Sequence, residues 1–249
     1  MDLISIKLEN ISRNFKVYNV ERRIFKKILI NKILKKKERK QLDEIFALKN
    51  INFELNIGER LGVVGRNGSG KTTLLRVLSG IYEPTSGNIE VNGKIKNVLE
   101  VGASGQLDDT VENNILLLGL LYGHNKNDIL KKKDDIIEFS GLRDFLHLPL
   151  VSCSTGMQLR ILFSTLYHFE SDIYIIDEFI STGDQEFQQK GMNLLEKYIQ
   201  NKILIFASHD LNLIKKKCNK ILVLDKGEQI FFGDVDQGID IYKNLDREK

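Results

Sequence analysis

The stretch Gly65-Arg66-Asn67-Gly68-Ser69-Gly70-Lys71-Thr72 decides how the rest of this 249-residue sequence reads. It matches G-x-x-x-x-G-K-[ST], a pattern whose glycines let successive backbone N–H groups turn inward as a nest for phosphate oxygens. Before it, Leu61-Gly62-Val63-Val64 is a short apolar run of the kind found in a strand buried on both faces. After it, the stretch from Lys71 to Ser79 carries Leu74, Leu75 and Leu78 at helical spacing and stops at Gly80. That order puts the positive end of a helix dipole on the loop. In such a nest Lys71 reaches the β- and γ-phosphates of a nucleotide and the Thr72 hydroxyl ligates Mg²⁺. Gly65, Arg66, Asn67, Gly68, Ser69, Gly70 and Thr73 complete the phosphate-binding set. A chance match arises in roughly one chain in a hundred of this length, and the flanking strand and helix make it rarer still.

Outward from the loop, apolar runs alternate with helical patterns. Ile4, Ile6 and Leu8 alternate with polar residues, as do Ile51, Phe53, Leu55 and Ile57, and Ile89 and Val91 mark a short strand after the Pro84–Gly87 turn. Ile173–Ile176, Ile203–Phe206 and Ile221–Leu224 read as buried strands with helices between them. From about 105 to 155 the spacing is helical, with helices expected over Val111–Leu121 and Lys126–Phe139. The expected fold is therefore an α/β core carrying an inserted helical subdomain.

Composition narrows the function classes. Two cysteines, Cys153 and Cys218, make no disulfide scaffold and fit a reducing compartment. The longest strongly apolar run, Ile115–Tyr122, is far short of the roughly 20 residues that a spanning helix needs. The first residues lack the basic start and apolar block of a signal peptide. Net charge is +3, unevenly spread: between Arg13 and Lys40 lie twelve basic residues and two acids, a local +10 that leaves −7 for everything else.

Two further strings carry chemistry. Ile173–Ile176 ends in Asp177-Glu178; beside a phosphate nest, Asp177 suits the outer shell of Mg²⁺ and Glu178 suits polarising an attacking water. Ser208-His209-Asp210 is no hydrolytic triad, because neighbours on one turn cannot adopt that geometry. Asn125-Lys126-Asn127-Asp128 fits the N-K-x-D pattern of guanine readers, but no Asp-x-x-Gly follows the phosphate strand, and we read it as coincidence.

Taken with Cys153-Ser154-Thr155-Gly156-Met157, the helical insertion and His209 after the next strand, the order of motifs resembles the nucleotide-binding subunit of ABC (ATP-binding cassette) transporters over nearly the whole chain. The resemblance implies a P-loop ATPase core of ABC type over residues 1–249. It also implies ATP and Mg²⁺ as ligands, and two copies sandwiching nucleotide. Ser154 and Gly156 would contact the γ-phosphate across the dimer, Asp184 would serve as the D-loop aspartate, and His209 would sense the γ-phosphate. Glu178, His209 and Lys71 are then the catalytic set. The Q-loop residue, near the metal, is Glu100 or Gln106, with the spacing to Asn114 favouring Glu100. The adenine would stack on Phe15, with Tyr18 and Phe46 as alternatives.

The signature Cys-Ser-Thr-Gly-Met, the Leu99-Glu100-Val101-Gly102 region and the Gly183-Asp184 pair are similar to ABC exporters of bacterial surface polysaccharides and teichoic acid. That resemblance implies a separate polytopic membrane subunit, a lipid-linked glycan as cargo and a place at the cytoplasmic face of the membrane. Some such exporters add a carboxy-terminal carbohydrate-binding domain, for which 249 residues leave no room. Exporters of other cargo, and soluble ABC ATPases, are the alternatives. The basic stretch, 16–46, occupies the place of the subfamily's insertion. Ile24, Phe25, Ile28, Leu29, Ile33 and Leu34 recur near helical spacing, so it reads as a solvated amphipathic helix, as a membrane-facing element or as a nucleic-acid patch. No nucleic-acid module accompanies it, so no nucleic-acid partner is expected.

Overall fold

The computed structural model describes residues 4–17, 43–97, 105–177 and 185–247. Its strands are β1 (Ser5–Val17), β2 (Asp43–Asn56), β3 (Arg60–Gly65), β4 (Ser86–Asn92), β5 (Ile95–Asn97), β6 (Ile173–Ile176), β7 (Ile203–Ala207), β8 (Lys220–Asp225) and β9 (Glu228–Asp234). Its helices are α1 (Lys71–Leu78), α2 (Val111–Leu121), α3 (Lys126–Ser140), α4 (Thr155–Tyr167), α5 (Gln185–Tyr198), α6 (Leu211–Lys217) and α7 (Val235–Arg247).

The strands form a sheet in the order β4-β1-β2-β9-β8-β3-β7-β6-β5. From β8 through β3, β7 and β6 to β5 every neighbour is parallel, whereas β4, β1 and β2 pair antiparallel. The two parts meet where β9, antiparallel to β8, runs parallel to β2 at Lys49 and Glu228. The central strands are apolar throughout because both faces are covered. Leu61, Val63, Ile173, Ile175, Ile203 and Ile205 join a core cluster with α1, β1 and β2. Val64, Tyr174, Ile176, Leu204 and Phe206 face a second cluster with α4 to α7.

Residues 105–155 hold α2, α3 and two short 3₁₀ turns, and with Ile161 of α4 they bury a third cluster that includes Val111, Ile115, Ile129, Ile136 and Leu150. Thr110 caps α2 by accepting from the Asn113 amide at 3.1 Å. Asn125 caps α3 by accepting from the Asp128 amide at 2.9 Å. The guanine-reader look-alike is thus a helix cap in this structure.

The sequence pattern underestimates β1 and β2. β1 runs on to Val17 and β2 starts at Asp43, with Val17 opposite Asp43 at the end of the ladder. Residues 16–17 and 43–46 of the basic stretch are therefore strand, while 18–42, including Tyr18 and the proposed amphipathic face, lie outside the described residues. The register shifts between Leu8 and Asn14, and left-handed φ values at Asn10 (52°) and Asn50 (48°), interrupt the alternation that marks a strand. Among the described residues no helix is long and apolar enough to cross a membrane.

Candidate functional site

The loop between β3 and α1 is shaped by its glycines. Gly68 and Gly70 hold φ of 78° and 106°, left-handed values that a side chain resists. A Cβ on Gly70 would lie 2.5 Å from the Ala47 carbonyl oxygen, and one on Gly65 would lie 2.4 Å from the Leu224 carbonyl oxygen. Gly70 also caps α1 without any side-chain hydrogen bond, so the first-turn amides of the helix open towards the loop.

When N–H groups point into a nest, the carbonyls point out and need partners. Lys71 Nζ donates to Gly65 O at 2.6 Å and to Arg66 O at 3.2 Å, which folds its ammonium back over the loop. Ser69 N donates to Arg66 O at 3.0 Å, and Ser69 O accepts from Gly227 N at 3.0 Å. Gly227 belongs to the two-residue turn Lys226-Gly227 between β8 and β9, where both residues have positive φ (47° and 83°). Its own carbonyl accepts from Lys49 N at 2.8 Å. Sequence reasoning misses this brace because it is made of main-chain atoms; the only signal is a Lys-Gly pair between two strands.

A cleft of about 450 Å³ opens over the loop, lined by the loop itself, Thr72, Thr73, Asp177 and His209, with Ile45 and Phe46 on one wall. Thr72 Oγ1 and Asp177 Oδ2 lie 3.4 Å apart, loose for a direct O–H···O bond. His209 sits between the end of β7 and the start of α6; its neighbour Asp210 caps α6, accepting from Asn212 N at 2.9 Å and Leu213 N at 3.2 Å. Asp210 is thus a helix cap, which agrees with rejecting the triad. Ser69 Oγ is buried, with the residue 2% exposed, and has no hydrogen-bond partner among the described residues.

These features fit a polyphosphate with Mg²⁺: a loop turned by the left-handed glycines Gly68 and Gly70, an ammonium folded over it, an orphaned hydroxyl, and a hydroxyl and a carboxylate side by side as hard oxygen donors. Thr72 and Asp177 would hold the ion. Among the described residues no group of three acidic, histidine or cysteine side chains could hold a metal alone.

The other expected site residues are distributed differently. Phe15 pairs with Ile45 across the β1–β2 ladder, and its ring meets Tyr82 edge-on at 5.5 Å with the Arg13 guanidinium 4.8 Å from its centroid. Phe46, 49% exposed, lines the cleft itself. Ser154 caps α4, accepting from Met157 N at 3.3 Å; it and Gly156 are exposed and do not line the cleft of their own chain. Gln106 is exposed and tied through its main chain to Asn114, whose Oδ1 accepts its N–H at 2.7 Å. Glu100, Glu178 and Asp184 lie outside the described residues.

Comparison with known proteins agrees with this geometry. A family model described as ABC transporter matches residues 48–181. The O-antigen export system ATP-binding protein RfbE of Yersinia enterocolitica is 36% identical over 229 residues, covering 90% of this chain and 96% of that protein. The teichoic acids export ATP-binding protein TagH of Lactococcus lactis is 36% identical over 203 residues, covering 81% of this chain and 43% of that one. The chain spans about half the length of several of the relatives it matches, and nearly all of the Yersinia protein. In fold it is similar to the dimeric post-hydrolysis structure of the ATP-binding cassette MJ0796 bound to ADP and Pi, with a TM-score of 0.69 and 21% identity over 92% of this chain and 98% of that one. A phosphate nest between β3 and α1, a carboxylate at the end of β6 and a histidine after β7, on a sheet of this order and with these relatives, place the chain in the ABC transporter family, as one of its ATP-binding cassettes.

Proposed function

We propose that this chain is the ATP-hydrolysing subunit of a bacterial ABC exporter for a cell-surface polysaccharide or polyol-phosphate polymer. The observation that carries the proposal is the convergence of the loop amides, Lys71, the Thr72–Asp177 pair and His209 on one cleft. The curated relatives named for O-antigen and teichoic acid export support the cargo class.

In this reading the loop amides and Lys71 bind the β- and γ-phosphates of ATP and orient the terminal phosphoryl group. Bound Mg²⁺ supplies charge neutralisation on the phosphate oxygens. Glu178, next in sequence to Asp177, positions the attacking water, and His209 donates to the γ-phosphate oxygens as charge builds on them. Phe15, with Phe46 as the alternative, stacks on the adenine, and Glu100 takes the Q-loop place near the metal. Ser154 and Gly156, exposed and outside the lining of their own cleft, meet the γ-phosphate of a second copy, with Asp184 at the shared interface. Residues 105–155 act as the helical subdomain, and the part of the basic stretch between the two strands, 18–42, faces the membrane side. The cassette works at the cytoplasmic face, bound to a separate polytopic subunit that moves a lipid-linked glycan, and without a nucleic-acid partner.

Glu178→Gln tests the assignment. It is expected to bind ATP with unchanged affinity, to lose about a hundredfold or more of turnover and to accumulate as a dimer in ATP. Wild-type turnover in that variant would refute the catalytic role. Co-purification with a polytopic membrane protein, and loss of surface glycan in a deletion strain, test the cargo class.

A further inference from the structure

α4 carries Ser154 at its amino terminus and ends, about 20 Å away, at the meeting point of the sheet and the inserted helices. The last carbonyls of a helix have no intrahelical partner and carry the negative end of its dipole. Here Leu166 O in the last turn, His168 O at the cap and Phe169 O just beyond it are held by two lysines from outside the helix. Lys96 of β5 is buried, only 5% exposed. Its Nζ donates to Leu166 O at 2.7 Å and also to Phe169 O. Lys132 of α3 donates to His168 O at 2.6 Å. The Phe169 ring, itself buried, is stacked on His124, which follows α2, with centroids 4.0 Å apart.

A lysine inside the β5 ladder is costly. It is deprived of water, and with Lys132 nearby its pKa falls to about 7. Glu170 opposes this only weakly. Tyr174, whose ring centroid lies 5.4 Å from Nζ, and the neighbouring His124, His168, Tyr122 and Lys94 complete the titratable surroundings among the described residues. An apolar residue would suit a half-buried edge strand better, so the lysine needs a reason, and the carbonyl pair provides it. Met, of similar length, could pack there but would take the lysine from both carbonyls, leaving Leu166 O only the Phe169 amide at 3.5 Å.

We propose that Lys96 is a positioning residue: it clamps the carboxy-terminal end of α4 to β5, and so fixes where the Ser154–Gly156 loop at the other end meets the nucleotide of a second copy. This rests on the reading of Ser154 and Gly156 given above. β5 ends at Asn97, three residues before Glu100, so the clamp joins the signature helix to the strand that leads to the proposed Q-loop residue. A shift at one end of a rigid helix is carried to the other, which makes the clamp a determinant of dimer closure and leaves nucleotide binding by the single chain alone.

The test compares the full chain as Glu178→Gln and as Glu178→Gln with Lys96→Met. Dimerisation is followed by size-exclusion chromatography across an ATP series, and monomer affinity by titration with a fluorescent ATP analogue. The single variant is expected to dimerise. The double variant should need about tenfold more ATP or fail to close, the effect of losing two hydrogen bonds from one buried amine, with the monomer's nucleotide affinity unchanged. Lys132→Met, which alters a less buried lysine, is expected to shift closure in the same direction by a smaller factor and serves if Lys96→Met does not fold. Closure of both lysine variants at the ATP concentration of the single variant overturns the clamp. Weakened monomer binding in step with closure also overturns it, because the effect is then general destabilisation. A Glu178→Gln chain that stays monomeric at saturating ATP overturns the underlying reading, and the clamp with it.

Discussion

Gly227→Ala tests the idea that the β8–β9 turn sets the shape of the phosphate loop. The glycine sits at φ 83°, and an added Cβ would lie 2.8 Å from Ala47 O and 3.0 Å from Ala47 C, so either the turn or β2 must shift. A non-glycine residue in the left-handed region costs about 1–2 kcal/mol. A displaced turn also loosens the Gly227 N to Ser69 O bond, worth about 1 kcal/mol. Only the second part is felt by bound nucleotide, since it frees the Ser69–Gly70 peptide to rotate out of the nest. About 1 kcal/mol corresponds to a roughly fivefold weaker ATP Kd, while the whole sum lowers Tm by roughly 5 °C or more. Gly123→Ala is the control: its φ is 80°, nothing lies within 4 Å of its Cβ position, and it is not in the cleft. The two variants are compared by thermal melting and by fluorescent-nucleotide titration. The reasoning is refuted if both lose stability while Gly227→Ala keeps wild-type affinity for ATP.

Other expectations follow from the same contacts. Phe15→Ala and Phe46→Ala separate the two candidates for the adenine: the stacking residue should raise the Kd for ATP severalfold and leave inorganic triphosphate binding untouched. Lys96 gives a pH signature. Its folded pKa is lowered to about 7, so between pH 7 and the normal lysine range the unfolded chain holds a proton that the folded chain has released, and stability rises with pH. Urea melts should show wild type gaining up to about 2 kcal/mol over Lys96→Met from pH 7 to 9, and a constant difference would contradict the burial of that amine. Replacing Lys35, Lys36 and Lys37 together with Glu should abolish export while basal ATPase survives; unchanged export would remove the membrane-facing role of the basic stretch.

The central strands and α1 to α3 are legible in the sequence because each reports its own environment. β3, β6, β7 and β8 are buried on both faces and read as unbroken apolar runs, and Asn125 and Thr110 announce helix starts. The outer strands are less legible: β1 and β2 bend through Asn10 and Asn50, and β9, with Phe231 and Phe232 both half-buried, shows no alternation. At the site, Gly68, Gly70, Lys71 and Thr72 are readable because the geometry resides in glycine backbone and in side chains of fixed chemistry. The brace through Gly227 and Ala47 is hidden, since carbonyls and amides are present in every residue. Lys96 stands among Lys94, Ile95 and Asn97, where nothing in the sequence marks it as buried or says which helix end it meets.

The pairing of Val17 with Asp43 has a bearing on how this molecule could diversify. Paired residues on antiparallel strands stand about 5 Å apart, so the segment 18–42 leaves and re-enters the sheet at almost one point. The free energy of closing such a loop changes by only about 0.6 kcal/mol when its length doubles. The ribbon's end therefore works as a socket. What is mounted there can be lengthened, shortened or recharged during evolution while Ala47 and Lys49, farther along the ribbon, keep their register against the phosphate loop and its brace.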